Sequence, residues 1–347
     1  MNATPPPLPQ TAPPPPRRHT ALWILLALFG LLLVGSLLVN AALSGAIRKK
    51  ISQGTTTHNH AIDEFPDLTE IWSWGDGTAK VARIAVEGVI LREAEAGMFS
   101  TPVNMVDSVL AQIRAAQADD EVRGIILEVD SPGGGITASD EIYRALLGFR
   151  DSSEERVVVV FMRDLAASGG YYVAMAGDWL IAQPTTVLGS IGVIMQSLNM
   201  KGLSEKIGVT DVTIKSGANK DLLNPFIEVD PAQRKLLQDM IDAMYEHFLA
   251  IVQEARPQIP ASELRTLADG RLFVGPQAEK LKLVDEVGFW DDALARMAEL
   301  LEVDSVKVIR YEQEVDFFSW LMTVRSPIQP FAWRAQLRPR FLYLWQP

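Results

Sequence analysis

Between Val81 and Ala182 the chain alternates short runs of β-branched and apolar residues with stretches of helical periodicity, and this alternation restricts the fold more than any other feature of the sequence. Strand patterns fall at Val81–Leu91 (VARIAVEGVIL), Gly124–Val129, Val157–Met162 and Trp179–Ala182. Between them, Val106, Val109, Leu110 and Ile113 share one helical face, a second helix is predicted from about Ala138 to Phe149, and a third opens at Ser168. Strands separated by helices are joined by crossovers, which predicts an α/β domain with a mainly parallel sheet. Further on, Asp230 caps a long helix that begins with Pro231, carries Gln233 at the capping-box position and runs to about Ala255. Leu236, Leu237, Ile241, Met244, Phe248 and Ile251 make one continuous apolar face on it.

The region before this domain is of another kind. Residues 1–20 are rich in proline and predict an extended tail without a fold. Residues 21–43, ALWILLALFGLLLVGSLLVNAAL, are almost wholly apolar, and roughly 20 such residues span a bilayer core. This predicts a single transmembrane helix; a cleaved signal peptide is the alternative. Residues 44–78 are polar and predict a linker, in which His58 and His60 lack companions for a metal site. The folded domain is then expected over 79–300. A C-terminal strand and a tail of mixed aromatic and arginine residues follow over 301–347. Such a tail suits a membrane interface, a subunit surface, or packing on its own domain.

Charge and residue counts remove several functions. The 347 residues include 43 acidic and 32 basic ones, with no basic stripe of the kind a nucleic-acid binder needs. There is no cysteine, hence no thiol nucleophile, no thiolate metal site and no disulfide. Of the four histidines, only His247 falls inside the folded domain, so a serine–histidine catalytic pair would have to use it. No cofactor or metal site is indicated.

Four stretches carry possible chemistry. In RDLAASGGYYVAMA (163–176), Ser168 stands at the start of a helix, where free backbone N–H groups can stabilise an oxyanion. The same small residues would also suit close packing of a helix on a sheet. DSPGGG (130–135) ends a strand with three glycines, whose backbone can approach a ligand closely or simply make a turn. LGSIGV (188–193) offers Ser190, and IKSGANKDLLNP (214–225) offers Lys215 and Lys220 in a loop where lysine is ordinarily a solvated charge.

Taken together, Ser168 in ASGGYYVA, the upstream SPGGG, the LGSIGV turn and Lys220 in SGANKD resemble the signal peptide peptidase A family, membrane-bound serine peptidases with a Clp-protease/crotonase-like fold of repeated ββα and βαβ units. The segment DGRLFVGPQAEKLKLVDEVGFWDDAL (269–294) is similar to the later part of the family, so the resemblance covers roughly Val81–Leu294. It implies a serine endopeptidase with a Ser168/Lys220 dyad. Serine needs a positioned base, and lysine serves only when its pKa falls far below ~10.4. The resemblance further implies that Ser190 orients Lys220, and that the N–H of Gly169 and that of Gly134, or of Gly133 or Gly135, form the oxyanion hole.

The expected substrates are residual signal peptides or other apolar peptides at the membrane. The expected assembly is a homo-oligomeric ring in which serine and lysine come from neighbouring subunits. Flanking charge weakly favours a cytoplasmic domain, whereas the resemblance places the domain outside the cytoplasm, which is the expectation adopted here since large domains translocate largely regardless of charge. A crotonase-like acyl-CoA enzyme and a catalytically silent scaffold are the competing functions.

Overall fold

The computed structural model describes Phe29, Leu31, residues 68–92 and 104–313, and residues 342–344. The chain divides into a unit over Met1–Glu64 and a second over Phe65–Pro347. In the first, Phe29 and Leu31 are helical, and the rest of the expected membrane span lies outside the described residues. Among the described residues no helix is long and apolar enough to cross a membrane.

The second unit runs β1 (Leu68–Trp74), β2 (Ala79–Glu87), α1 (Met105–Ala118), β3 (Val122–Ser131), β4 (Gly133–Gly135), α2 (Ile136–Asp151), β5 (Val157–Ala167), α3 (Gly169–Ala174), β6 (Trp179–Ala182), β7 (Val187–Gly189), α4 (Lys201–Ile207), α5 (Pro231–Ala255), α6 (Ala261–Leu267), β8 (Leu272–Val274), α7 (Gly275–Lys280), β9 (Glu286–Val287), α8 (Trp290–Leu300), β10 (Val306–Gln313) and β11 (Leu342–Leu344). The main sheet has the order β1-β10-β2-β3-β5-β6-β9, and every pair on that path is parallel except β1 with β10. The α/β fold with a mainly parallel sheet is therefore as expected.

Strands buried on both faces explain the unbroken apolar runs. In β3, Ile125, Leu127 and Val129 pack toward α1, α2 and α3, whereas Ile126 faces the layer made by α8. Gly124 lets α8 come close, because a Cβ there would lie 2.6 Å from the Met297 sulfur. The buried Arg256 guanidinium ties the end of α5 to Asp285 at 2.6 Å, and the other Asp285 oxygen accepts the Leu180 N–H at the start of β6.

Three expectations are corrected. Leu68–Trp74 is not linker but the edge strand β1, because its residues pair with β10 from Leu68↔Gln313 onward. Gln233 does not close a capping box: Asp230 accepts the Ala232 N–H at 2.7 Å, but the Gln233 amide reaches the Ala218 carbonyl. The apolar face of α5 is not continuous either. Phe248, Leu249, Ile251 and Val252 are buried, while Leu236 near the helix start is 41% exposed.

Candidate active site

β5 and α3 meet in a sharp turn whose apex is Ser168. Its backbone lies at φ 53, ψ −112, a conformation that L residues rarely adopt and that costs about 1–3 kcal/mol. The strain is held from both sides, since the Ser168 N–H donates to the Gly189 carbonyl at 2.7 Å and its own carbonyl accepts the Tyr172 N–H at 2.8 Å. Ser168 is buried, and its hydroxyl hydrogen-bonds no other described residue. α3 is six residues long, so its contribution to an oxyanion comes from the free N–H at its first position, Gly169, more than from a macrodipole.

Opposite this turn stands the triple glycine. On one edge β4 bonds to Ile90: the Gly133 carbonyl accepts the Ile90 N–H at 2.9 Å, and the Gly135 N–H donates to the Ile90 carbonyl at 2.8 Å. In an extended backbone successive residues turn their hydrogen-bonding groups to opposite edges. Gly134 therefore directs its N–H away from Ile90, into the groove on the side where β11 pairs with it. Gly133 N–H is already taken by Ser131 Oγ at 3.0 Å. Of the three glycines considered, Gly134 alone turns its donor into the groove, where the Tyr343 backbone pairs with it. The structure brings it to Gly169: a Cβ built on Gly169 would lie 3.0 Å from the Gly134 nitrogen.

Two serines that sequence reasoning passed over support this arrangement. Ser131 also donates to the Gly88 carbonyl at 2.6 Å, pinning the strand end from which the glycines depart. Ser139 Oγ donates to the Gly135 carbonyl and lies 2.6 Å from where a Cβ on Gly169 would fall. Ser131 is the first residue of SPGGG, where it had no role assigned, and Ser139 carries no sequence signal beyond proximity to that motif.

The groove between β4 and Ile194 is filled by the chain itself. β11 pairs antiparallel with β4, Leu342↔Gly135, Tyr343↔Gly134 and Leu344↔Gly133. On its other edge, Leu342 exchanges backbone hydrogen bonds of 3.0 and 3.1 Å with Ile194. The Tyr343 carbonyl oxygen lies where Gly133 and Gly169 both face: it is 2.0 Å from the position of a Cβ on Gly133, which is also 2.5 Å from the Gly169 nitrogen. Gly133, at φ 93, has room for no side chain. Of the aromatic C-terminal tail, 342–344 pack on the chain's own domain, and the remaining tail residues lie outside the described ones.

The other predicted residues are placed as follows. Ser190, at φ 49, is buried next to Gly189, and its N–H donates to the Arg271 carbonyl at 2.8 Å, so it neighbours Ser168 through the Gly189 bond. Arg271 is itself clamped by Asp269, whose carboxyl that guanidinium holds down at about 2. Lys220 is exposed, and its ammonium has no partner among the described residues, Ser168 and Ser190 included. His247 is not at Ser168. Its Nε2 is 3.2 Å from the Tyr172 hydroxyl and 3.8 Å from Asp140.

The domain matches the family model described as peptidase family S49 over residues 150–304, and that described as Clp protease over residues 91–188. It is 34% identical over 303 residues to a protein of Enterococcus faecium carrying the name signal peptide peptidase SppA, covering 86% of this chain and 87% of that one. Protease 4 of Salmonella typhi is 29% identical over 84% of this chain, which spans 46% of that longer protein. The chloroplastic serine protease SPPA of Arabidopsis thaliana is 31% identical over 65% of this chain, which spans 33% of it.

Proposed function

Because the chain belongs to peptidase family S49 and is a serine peptidase, we propose that it is a membrane-anchored endopeptidase that cleaves apolar peptides, residual signal peptides among them, with Ser168 as nucleophile and Lys220 as base. The observation that carries this reading is the placement of β11. An extended peptide lies between β4 and Ile194 with one of its carbonyl oxygens beside Gly133, Gly134 and Gly169, and with the buried Ser168 at the turn below it. A groove that adds a strand to a sheet edge binds any peptide backbone and leaves selection to side-chain pockets.

Ser168 Oγ attacks the carbonyl carbon held in the groove, and its proton passes to the neutral amine of Lys220. The negative charge that develops on the oxygen accepts hydrogen bonds from the N–H groups of Gly134 and Gly169, where each donor contributes about 3–4 kcal/mol to the transition state. Lys220 then protonates the leaving nitrogen as the C–N bond breaks, leaving an acyl-serine. Water attacks this ester, its proton passes to Lys220, and the serine is released with the proton returned.

For this chemistry Lys220 must reach Ser168, and we assign the meeting to two subunits of a homo-oligomeric ring. Two observations support this. Lys220 has no partner among the described residues. Its neighbourhood also exposes apolar side chains: Leu198 is 69% exposed, Ile207 65%, Val212 83% and Ile214 97%. A monomer gains nothing by leaving these in water, whereas a head-to-tail contact buries them. The apolar run 21–43 would hold the assembly at the bilayer, with the domain outside the cytoplasm.

Co-assembly of Ser168→Ala with Lys220→Ala chains tests the reading. Each alone should be inactive. Random mixed rings should recover roughly a quarter of the wild-type sites, since a site forms wherever one mutant's serine meets the other's lysine. Mixed oligomers of verified composition that recover nothing would refute the shared site, and retained hydrolysis by Ser168→Ala alone would refute the nucleophile.

A further inference from the structure

Residues 208–230, which join α4 to α5 and carry Lys220, contain no helix or strand. Without a ladder of backbone hydrogen bonds, the shape of such a loop rests largely on its side chains. Its two lysines differ in what they hold. The Lys215 ammonium donates to Asp221 Oδ1 at 2.7 Å and to the Ala218 carbonyl at 3.3 Å. The Lys220 ammonium has no partner among the described residues. Lys215 is therefore engaged within the loop, and Lys220 is the one left to act outside it.

Asp221 and Lys220 are neighbours in the chain, yet their side chains diverge. That of Asp221 is only 10% exposed and turns back to Lys215, while Lys220 stands in solvent. Holding the one fixes the direction of the other. The Lys220 N–H also donates to the Gly217 carbonyl at 3.2 Å, which closes the turn. Through Ala218 the loop reaches a regular element, because the same carbonyl accepts the Gln233 amide at 2.9 Å from the first turn of α5. On the far side, the Asp221 carbonyl accepts the Asn224 N–H at 3.0 Å, and the Asn224 amide donates to Asp211 at 2.9 Å. Lys220 thus lies on a short arc from Ala218 to Asp221, and Lys215 holds both ends of it.

We propose that Lys215 and Asp221 are positioning residues for the base: their ion pair shapes the loop so that Lys220 is aimed before it meets Ser168. The inference rests on the reading of Lys220 as base and deepens it. A lysine amine ends a flexible four-carbon stem, and a reacting group displaced by about 1 Å loses roughly 10²-fold in rate. A loop without helix or strand delivers such placement only if its own side chains brace it. An ion pair as open as this one, with Lys215 35% exposed, adds little to overall stability, so its loss should show in catalysis and not in melting.

The test uses the full-length enzyme and an internally quenched peptide of alanine, leucine and phenylalanine residues. Lys215→Met, which keeps the stem and removes the charge, should lower kcat by roughly 10–100-fold with KM unchanged within about twofold. Its Tm should stay within about 2 °C of wild type. Lys215→Arg restores a cation for Asp221 and should recover most of the lost kcat. In mixed rings the defect should follow the subunit that gives the lysine. Lys215→Met placed on the Ser168→Ala chains should cut the recovered activity by roughly 10–100-fold, whereas the same change on the Lys220→Ala chains should leave it within about twofold.

A second readout needs no turnover. In Ser168→Ala protein, the initial rate of tryptic cleavage after Lys220, read by mass spectrometry, should rise ~10-fold on Lys215→Met, because the unbraced loop opens into the protease more often. A Lys215→Met enzyme that keeps kcat, or a defect equal on either chain of the mixed rings, overturns the brace and leaves the peptidase intact. So does tryptic cleavage that ignores the substitution. Mixed rings without Lys215→Met that recover nothing overturn the shared site instead, and the kcat loss and its rescue by arginine in uniform rings then decide the brace. Absence of Ser168-dependent hydrolysis in wild-type protein overturns the peptidase reading, and with it the role of the brace.

Discussion

Gly133→Ala and Gly135→Ala form a matched pair, because the two glycines flank the proposed donor and differ in what a methyl group would meet. At Gly133 the backbone is at φ 93, and a Cβ would stand 2.5 Å from the Gly169 nitrogen and 3.0 Å from the Ala167 carbonyl oxygen. Both are backbone atoms of the Ser168 turn, so relief requires moving that turn. The positive φ costs about 1–2 kcal/mol for an L residue, which for a domain of this size lowers Tm by about 2–8 °C. The larger effect is on catalysis, since the methyl group occupies the place where the carbonyl oxygen must sit. Loss of a hole donor costs about 3–4 kcal/mol, so kcat/KM should fall by roughly 10²–10³. At Gly135, φ is −64 and the nearest neighbours of a Cβ are 3.6 Å away, an ordinary contact. Gly135→Ala should therefore retain activity within about twofold. Steady-state hydrolysis and thermal melts on the two purified proteins decide the matter. Equal damage from both substitutions, or more than a tenth of wild-type kcat/KM in Gly133→Ala, would show that the oxyanion does not sit where the Tyr343 carbonyl does.

Ser168→Gly should be inactive yet melt no lower than wild type, because glycine adopts φ 53 without the strain a serine bears there; a marked fall in Tm would argue that the serine is structural. Arg256→Ala should cost about 3–5 kcal/mol by stranding Asp285 at the buried end of α5, read by denaturant unfolding; a loss under 1 kcal/mol would mean that the Asp285 bond to Leu180 suffices. Asp140 is held below the ordinary 3.8 in the folded state, so its contribution to stability is complete above that value and is lost as pH falls through the lower folded value. Asp140→Asn should flatten that acid limb of the stability profile, and an unchanged profile would remove Asp140 from the account.

The fold was legible where one period dominated. β6 and the ends of α5 fall where the pattern places them, because a strand buried on both faces and a helix started by Asp230–Pro231 leave few alternatives. β1 was missed because an edge strand that buries little surface reads as polar linker, and only its pairing with β10 defines it. The candidate site divides along the same line. Glycine and serine clusters in the sequence pointed to the turn at Ser168 and to the triple glycine, since close backbone approach requires small residues. Which glycine donates could not be read, because that depends on which edge of β4 Ile90 occupies. Asp140 and Ser139 went unnoticed, and Ser131 had no role assigned within SPGGG, for a related reason: each acts on a group distant in sequence or through a backbone carbonyl, and none leaves a periodic trace.

Tyr343 shows most clearly why a groove of this kind is hard to read from a sequence. In the chain it is one aromatic residue among many in a tail that suits three different surroundings. In the structure its backbone completes β4, its oxygen lies beside Gly169, and its ring fills a cavity between α2, α3 and α5. The enzyme side of that contact is spread over Gly134, Asp140, Tyr172, Met244 and Phe248, and each of these has a sufficient structural reason to be where it is. Their common use becomes apparent only when an extended segment lies across them. Groove and turn are thus built from separate elements: β4 and Ile194 hold the extended segment, while Ser168 stands beside it on the β5–α3 turn.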